Sequence, residues 1–186
     1  RKGIIMQEKV TKNTFLYPKG YEPDCIIPSE YCSFRFALGK QGQNPLVAIC
    51  MNPSAARETL SDRTINRIIN VSKELCMDGW MVFNLYPERA TDATKMDVFQ
   101  QELMDRNIQE IEKYLVENNI KEVWGAWGND SNIDVLIKGK EQVKDMLSSI
   151  GVKVYYFGTL TKEGNPRHPI QRQEKWDLSK KEYLEL

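Results

Sequence analysis

The chain has one histidine, His168, and its four cysteines form no CxxC pair. A zinc site of ordinary spacing is therefore not written into it. Cys25, Cys32, Cys50 and Cys76 read instead as reduced, mostly buried thiols. Charge of one sign is also lacking, because 26 Lys and Arg balance 26 Asp and Glu. That disfavours a protein holding duplex DNA through a strongly basic surface, but leaves room for a local basic patch. No apolar run approaches the ~18 residues of a membrane span, so no membrane association is expected. No signal-peptide pattern is visible, and a cytoplasmic location is the expectation. A P-loop, a GxGxxG turn and a nucleophile elbow are all missing, and no metal or cofactor is expected.

What is present has the balance of a globular protein, with 41% apolar and 28% charged residues. The 186 residues suit a single domain with an N-terminal arm (1–30) and a C-terminal tail (171–186). The organising stretch is LVAICMNPSAARETLSD, residues 46–62. Its apolar run ends at Asn52-Pro53-Ser54, and proline cannot continue a sheet ladder, so a buried strand must stop there. Further strands are expected at 31–38, 80–85, 122–127 and 152–157, with one more possible at 3–10. The strand at 31–38 is expected to pair antiparallel with 46–51. Helices are expected from Asp62, as N-cap, to Met77, over 96–117, and from about 131 to 150 with an interruption near Gly139. The tail reads as a short helical or frayed segment.

Alternating strands and helices predict an α/β fold of three layers, α/β/α. Its central sheet would be mainly parallel and four-stranded, with an N-terminal antiparallel strand or hairpin. In such sheets ligands bind beyond the carboxyl ends of the strands. The loops there carry Asn52 and Ser54, then Asn84, Arg89 and Thr91, then Trp127, then Lys162, Arg167 and His168.

Two resemblances rest on these loops. The segments MNPSAA, SDRTINR, NLYPERATD, AWG and GNPRHP resemble, in order, the signature of a family catalogued as domain of unknown function 1643. The order of strand ends is also similar to the uracil-DNA glycosylase superfamily. That family has an Asp-Pro or Asn-Pro-Gly motif after the first parallel strand, an Asn after the second, a Trp-Gly after the third and a His-Pro after the fourth. Here these read Asn52-Pro53, Asn84, Trp124-Gly125 or Trp127-Gly128, and His168-Pro169. The Asn-Pro form is that of the mismatch-specific branch. Two departures stand out: Ser54 occupies the place of that branch's Gly, and Ile170-Gln171 replaces the family's Ser-Pro. The resemblance implies a uracil-DNA-glycosylase-like fold and hydrolysis of an N-glycosidic bond.

Each residue has a functional and a plain reading. Asn52 can hold a water through its amide carbonyl, or cap a turn. Asn84 can hydrogen-bond a base edge, or satisfy loop backbone. His168 can stabilise a departing base anion, or be structural. Arg63 and Arg67 share a helix face and, with Arg57 and Arg89, can bind phosphate or pair with Asp62, Glu58 or Asp92. Asp92 can be a base or fix its loop, and Trp127 can stack on a base or fill the core. The expected catalytic pair is Asn52 and His168. Ser54, Arg63, Arg67, Asn84, Arg89, Thr91, Asp92, Trp127, Lys162 and Arg167 would bind substrate. The partner would be a nucleobase, nucleotide or single-stranded nucleic acid, and the alternative is a non-catalytic module that recognises the same ligands.

Overall fold

Two strands with opposite faces both apolar set the centre of the sheet. Along β3 (Pro45–Cys50), Val47 and Ile49 point into one core, while Leu46, Ala48 and Cys50 point into the other. Along β4 (Gly79–Asn84) the same split separates Met81 and Phe83 from Trp80 and Val82. A strand buried on both faces needs a layer on each side. Helix α1 (Arg63–Glu74) supplies one layer through Ile65, Ile68 and Ile69. Helices α2 (Gln101–Glu117) and α3 (Asp134–Ser149) supply the other through Met104, Ile111, Leu115, Leu136, Val143 and Leu147. Each fully buried Ile or Leu contributes on the order of 1.5–3 kcal/mol. The result is an α/β/α arrangement, seen here in a computed structural model that describes residues 11–170 and 175–186.

The other strands are β1 (Cys25–Ile27), β2 (Ala37–Lys40), β5 (Glu122–Gly125), β6 (Lys153–Tyr156) and β7 (Glu182–Leu184). They form one seven-stranded sheet in the order β1-β2-β4-β3-β5-β6-β7. The four inner strands, β4, β3, β5 and β6, run parallel. β1, β2 and β7 add antiparallel edges. From β3 the chain crosses to β4 through α1 on one face. From β5 it crosses to β6 through α3 on the other face. The loops leaving β3 and β5 therefore diverge and open a crevice at the carboxyl edge.

Several expectations are corrected. The sheet has seven strands and not four, because short edge strands flank the parallel centre on both sides. β2 does not pair with β3, whose two edges are already taken by β4 and β5; it pairs with β4 instead. The strand expected at 31–38 is shifted to Ala37–Lys40, and Phe34 makes only an isolated bridge to Glu88. Part of the expected arm is strand β1, and the tail ends in β7 and not in a helix. α1 stops at Glu74, so Cys76 is exposed at φ 55° and does not extend the apolar face. Of the four free cysteines only Cys50 is buried. α3 runs unbroken through Gly139, where a Cβ would lie 2.3 Å from the Leu85 carbonyl oxygen; close packing, not a break, explains the glycine. The strand considered at 3–10 lies outside the described residues.

Candidate functional site

Asp62 ends the loop after β3 and starts α1. Its Oδ1 accepts from the Ile65 N–H at 2.9 Å and its Oδ2 from the Ala56 N–H at 3.2 Å. An N-cap of this kind is worth about 1 kcal/mol. It also folds the loop back, so that the first turn of α1 faces the carboxyl ends of β3 and β4. Between them lies a cavity of about 380 Å³, within the size range of small-molecule sites.

Asn52, Ser54, Arg63, Asn84, Thr91 and His168 all line this cavity. Asn52 donates from Nδ2 to the Pro53 carbonyl at 3.0 Å and to the Ala90 carbonyl at 2.8 Å. Both donors are thus used on backbone, which fixes the amide plane and leaves Oδ1 as the acceptor. Asn84 ends β4, and its backbone carbonyl accepts from Asn107 Nδ2 at 2.9 Å. The residue is 1% exposed, yet neither Oδ1 nor Nδ2 has a hydrogen-bond partner among the described residues. Such a group costs about 1–3 kcal/mol, and the cavity is where that cost is recoverable.

His168 reaches the cavity from the loop after β6. Its Nδ1 accepts from the Ile170 N–H at 3.3 Å. Burial holds the imidazole below its ordinary pKa, although Asp62 pulls it the other way, so the ring is neutral near pH 7. The turn is built against Gly128, which sits at φ +69° and whose N–H donates to the Pro166 carbonyl at 2.9 Å. A Cβ there would lie 3.1 Å from His168 Cβ. The Trp-Gly and His-Pro segments thus meet in space.

Two further cavities adjoin the first. One, of about 370 Å³, shares Asn13, Ser54, Ala90 and Thr91 with it and adds Tyr31, Arg57 and Arg89. Arg89 Nη1 donates to the carbonyls of Ser54 at 2.8 Å and Ala56 at 2.9 Å, and its guanidinium lies 4.2 Å from the Tyr31 ring centroid. Burial, then neighbouring Arg57, lower its pKa. The other, of about 350 Å³, follows α1 along Arg63, Asn66, Arg67 and Asn70. Arg67 also stacks its guanidinium 5.6 Å from the Trp176 ring centroid.

Four expected site residues line none of these three cavities. Trp127 is 1% exposed and packs in the core shared with α3. Asp92 accepts from the N–H and hydroxyl of Thr94, which hold its carboxyl below the usual range, and it caps the 3₁₀ turn Ala93–Lys95. Arg167 donates to Thr159 and Leu160 and so fixes its own loop. Lys162 is exposed in a turn.

Reasoning from sequence missed Arg35, Cys50, Thr64 and the arm residues Lys12, Asn13 and Phe15, all of which line the first cavity. A signal for Arg35 existed: it is a charge inserted between Phe34 and Phe36 in an apolar run. Nothing in the arm pointed to a cavity.

The family described as "Protein of unknown function (DUF1643)" matches residues 35–170. The chain belongs to this family. The matched span takes in the loops after β3, β4, β5 and β6, and hence Asn52, Asn84 and His168. No curated protein and no solved structure matches the chain. Among the described residues no group of three His, Cys, Asp or Glu could hold a metal ion, and no helix is long and apolar enough to cross a membrane.

Proposed function

We propose that the cavity binds a nucleobase-bearing substrate and that the chain hydrolyses its N-glycosidic bond. One observation carries this reading: the Asn84 amide is buried with donor and acceptor both unpaired, in the same cavity as Asn52 and His168. A side-chain amide matches ring edges that pair an acceptor with a donor, as nucleobases do. Asn52 Oδ1, fixed by the two bonds from its amide nitrogen, holds a water. Neutral His168 donates towards the departing base. The carbon–nitrogen bond breaks with its electron pair on the base, and water oxygen bonds to the anomeric carbon. One of the water's protons passes to solvent and the other stays on the new hydroxyl, while the base leaves as an anion held by the His168 N–H and takes its proton from solvent. The glycosylase resemblance of the strand-end motifs supports the same reading, by analogy with that superfamily's fold.

A second reading is recognition without catalysis. It is favoured by one fact: among the described residues Asp62 is the only carboxylate lining the cavity, and both its oxygens are engaged by backbone amides. An amide cannot replace it as a general base.

The test is thermal stability against bases, nucleosides, nucleotides and short single-stranded oligonucleotides, on wild type, Asn84→Ala and His168→Ala. A ligand specific to the folded state raises Tm by mass action. A base-dependent rise that is lost in Asn84→Ala is expected, with base release abolished in His168→Ala. Binding without release supports the recognition module, and no rise across the panel contradicts both.

A further inference from the structure

Arg35 is a buried cation that makes no ion pair among the described residues. It is 2% exposed and lines the cavity. Its Nη1 donates to the Ala56 carbonyl at 2.9 Å, and its Nε is buried without a partner among the described residues. The ion pairs among the described residues do not include it. A second guanidinium crowds it, since Arg89 Nη1 donates to the same Ala56 carbonyl at 2.9 Å. Buried charges are ordinarily paired, because an unpaired one pays most of its hydration energy for no return.

Among the described residues the neighbours supply little charge to set against it. Burial pushes the Cys50 thiol up to about 12 and raises the Tyr17 phenol too, so both are neutral at pH 7. Burial, then Arg89, lower Arg35 to about 10, which leaves it protonated. Asp62 attracts the guanidinium, but its two oxygens face the amides of Ala56 and Ile65 and make no ion pair with it. Among the described residues the cavity wall then carries Lys12, Arg35 and Arg63 against Asp62, three cations to one anion. Arg63 and Thr64 also bring the first turn of α1, which has no acidic residue, to the same wall. The amide end of a helix favours negative charge.

We infer that the ligand of this cavity carries an oxyanion, a phosphate or a carboxylate, which seats on the Arg35 guanidinium. The inference shares the cavity with the proposed function but does not need its base specificity. If both hold, the substrate is a nucleotide or a ring bearing a carboxylate, with its amide edge on Asn84 and its anion on Arg35. A guanidinium suits this role because its fork of donors matches two oxygens at once. An anion would also relieve the Arg35–Arg89 repulsion, so the ligand-free protein is poised for it.

The experiment compares matched pairs by titration calorimetry: adenosine and uridine against their 5′-monophosphates, and uracil against uracil-6-carboxylate. Inorganic phosphate is run alone. Wild type, Arg35→Gln, Arg35→Lys and Asn84→Ala are used. In at least one pair the anionic member should bind roughly 10- to 100-fold more tightly than its neutral parent. That margin should vanish in Arg35→Gln, persist in part in Arg35→Lys, and survive in Asn84→Ala. The monophosphate pairs and the carboxylate pair identify which oxyanion is used. Phosphate binding without any base preference would sink the nucleobase reading and leave this one standing. Equal binding within every pair, no binding at all, or a margin unchanged in Arg35→Gln would overturn it. If Arg35→Gln does not fold, the wild-type pairs decide alone.

Discussion

Two polar clusters lie at the carboxyl edge of the same sheet, and they end in opposite states. Behind the loops after β5 and β6, Lys140 donates to Asp130 Oδ2 at 2.6 Å and to Asn165 Oδ1 at 3.1 Å. Asn129 Oδ1 accepts from Thr161 at 2.7 Å and from Asn165 Nδ2 at 3.1 Å. Within this cluster the donors and acceptors meet one another. Around the cavity after β3 and β4, the Asn84 amide and Arg35 Nε are buried and unmet. A closed network fixes structure, and this one ties α3 to the loop that carries His168. An open one stores a cost that a ligand can remove. Both clusters contain asparagines from family-like motifs, and only their hydrogen bonds distinguish scaffold from site.

The largest effect should come from opening the closed cluster. Lys140→Met leaves Asp130 without its cation, at a cost of about 2–3 kcal/mol. That lowers Tm by roughly 5–10 °C for a chain of this size, as scanning calorimetry would read. Asn84→Ala, by contrast, removes polar atoms that bond to nothing, and the ligand-free protein should lose less than about 1 kcal/mol. The reverse ranking in urea unfolding would erase the distinction between the two clusters.

A mid-sized effect is expected where the two meet. Gly128→Ala places a Cβ at a left-handed backbone position and 3.1 Å from His168 Cβ. The backbone cost is roughly 1–2 kcal/mol. The His168 turn must also shift, so ligand response should fall further than stability does. Chemical denaturation and a binding isotherm on the same variant separate the two.

The smallest effect is in pH, and it separates the clusters by range. The His168 pKa is lowered in the folded state, so the unfolded chain binds that proton more readily. Stability from this source is full above about 6.5, falls as pH drops below it, and levels off once the folded pKa is passed. Asp130 behaves differently. Burial raises its pKa, but hydrogen bonds from Lys140 and the Asn132 N–H, and the Lys140 charge, outweigh that and lower it. Its contribution is present above about 3.9 and is lost only as pH falls through the lower folded value. Between pH 7 and 5, Tm of wild type should fall more than that of His168→Gln. Matching curves there would remove His168 from the account.

Much of this edge was legible in the sequence. The apolar run at 46–51 followed by Asn-Pro gave a buried parallel strand and its end, because proline stops a ladder wherever it falls. Asn52, Asn84 and His168 were placed at strand ends by the same logic, and one cavity receives all three. Asp62 as a cap was equally local. The edge strands were not legible: β1 and β7 are three residues each, too short to show a period of two. Nor could sequence show that Arg167 spends its guanidinium on its own loop, or that Trp127 turns into the core. Those outcomes depend on side-chain direction at a loop, which no periodicity encodes. Arg35 was marked by its place between two phenylalanines, but an alternating strand pattern does not say that its charged member faces a cavity.

The most direct test of the open cluster is a spectrum of its amides. Protein labelled with ¹⁵N at asparagine would be titrated with bases, nucleosides and nucleoside monophosphates, with the side-chain signals of Asn84, Asn129 and Asn165 assigned by substitution. The account predicts that a base-bearing ligand moves the Asn84 Nδ2 pair while Asn129 and Asn165 stay in place. A fixed Asn84 signal with every ligand, or equal movement of all three, would contradict it.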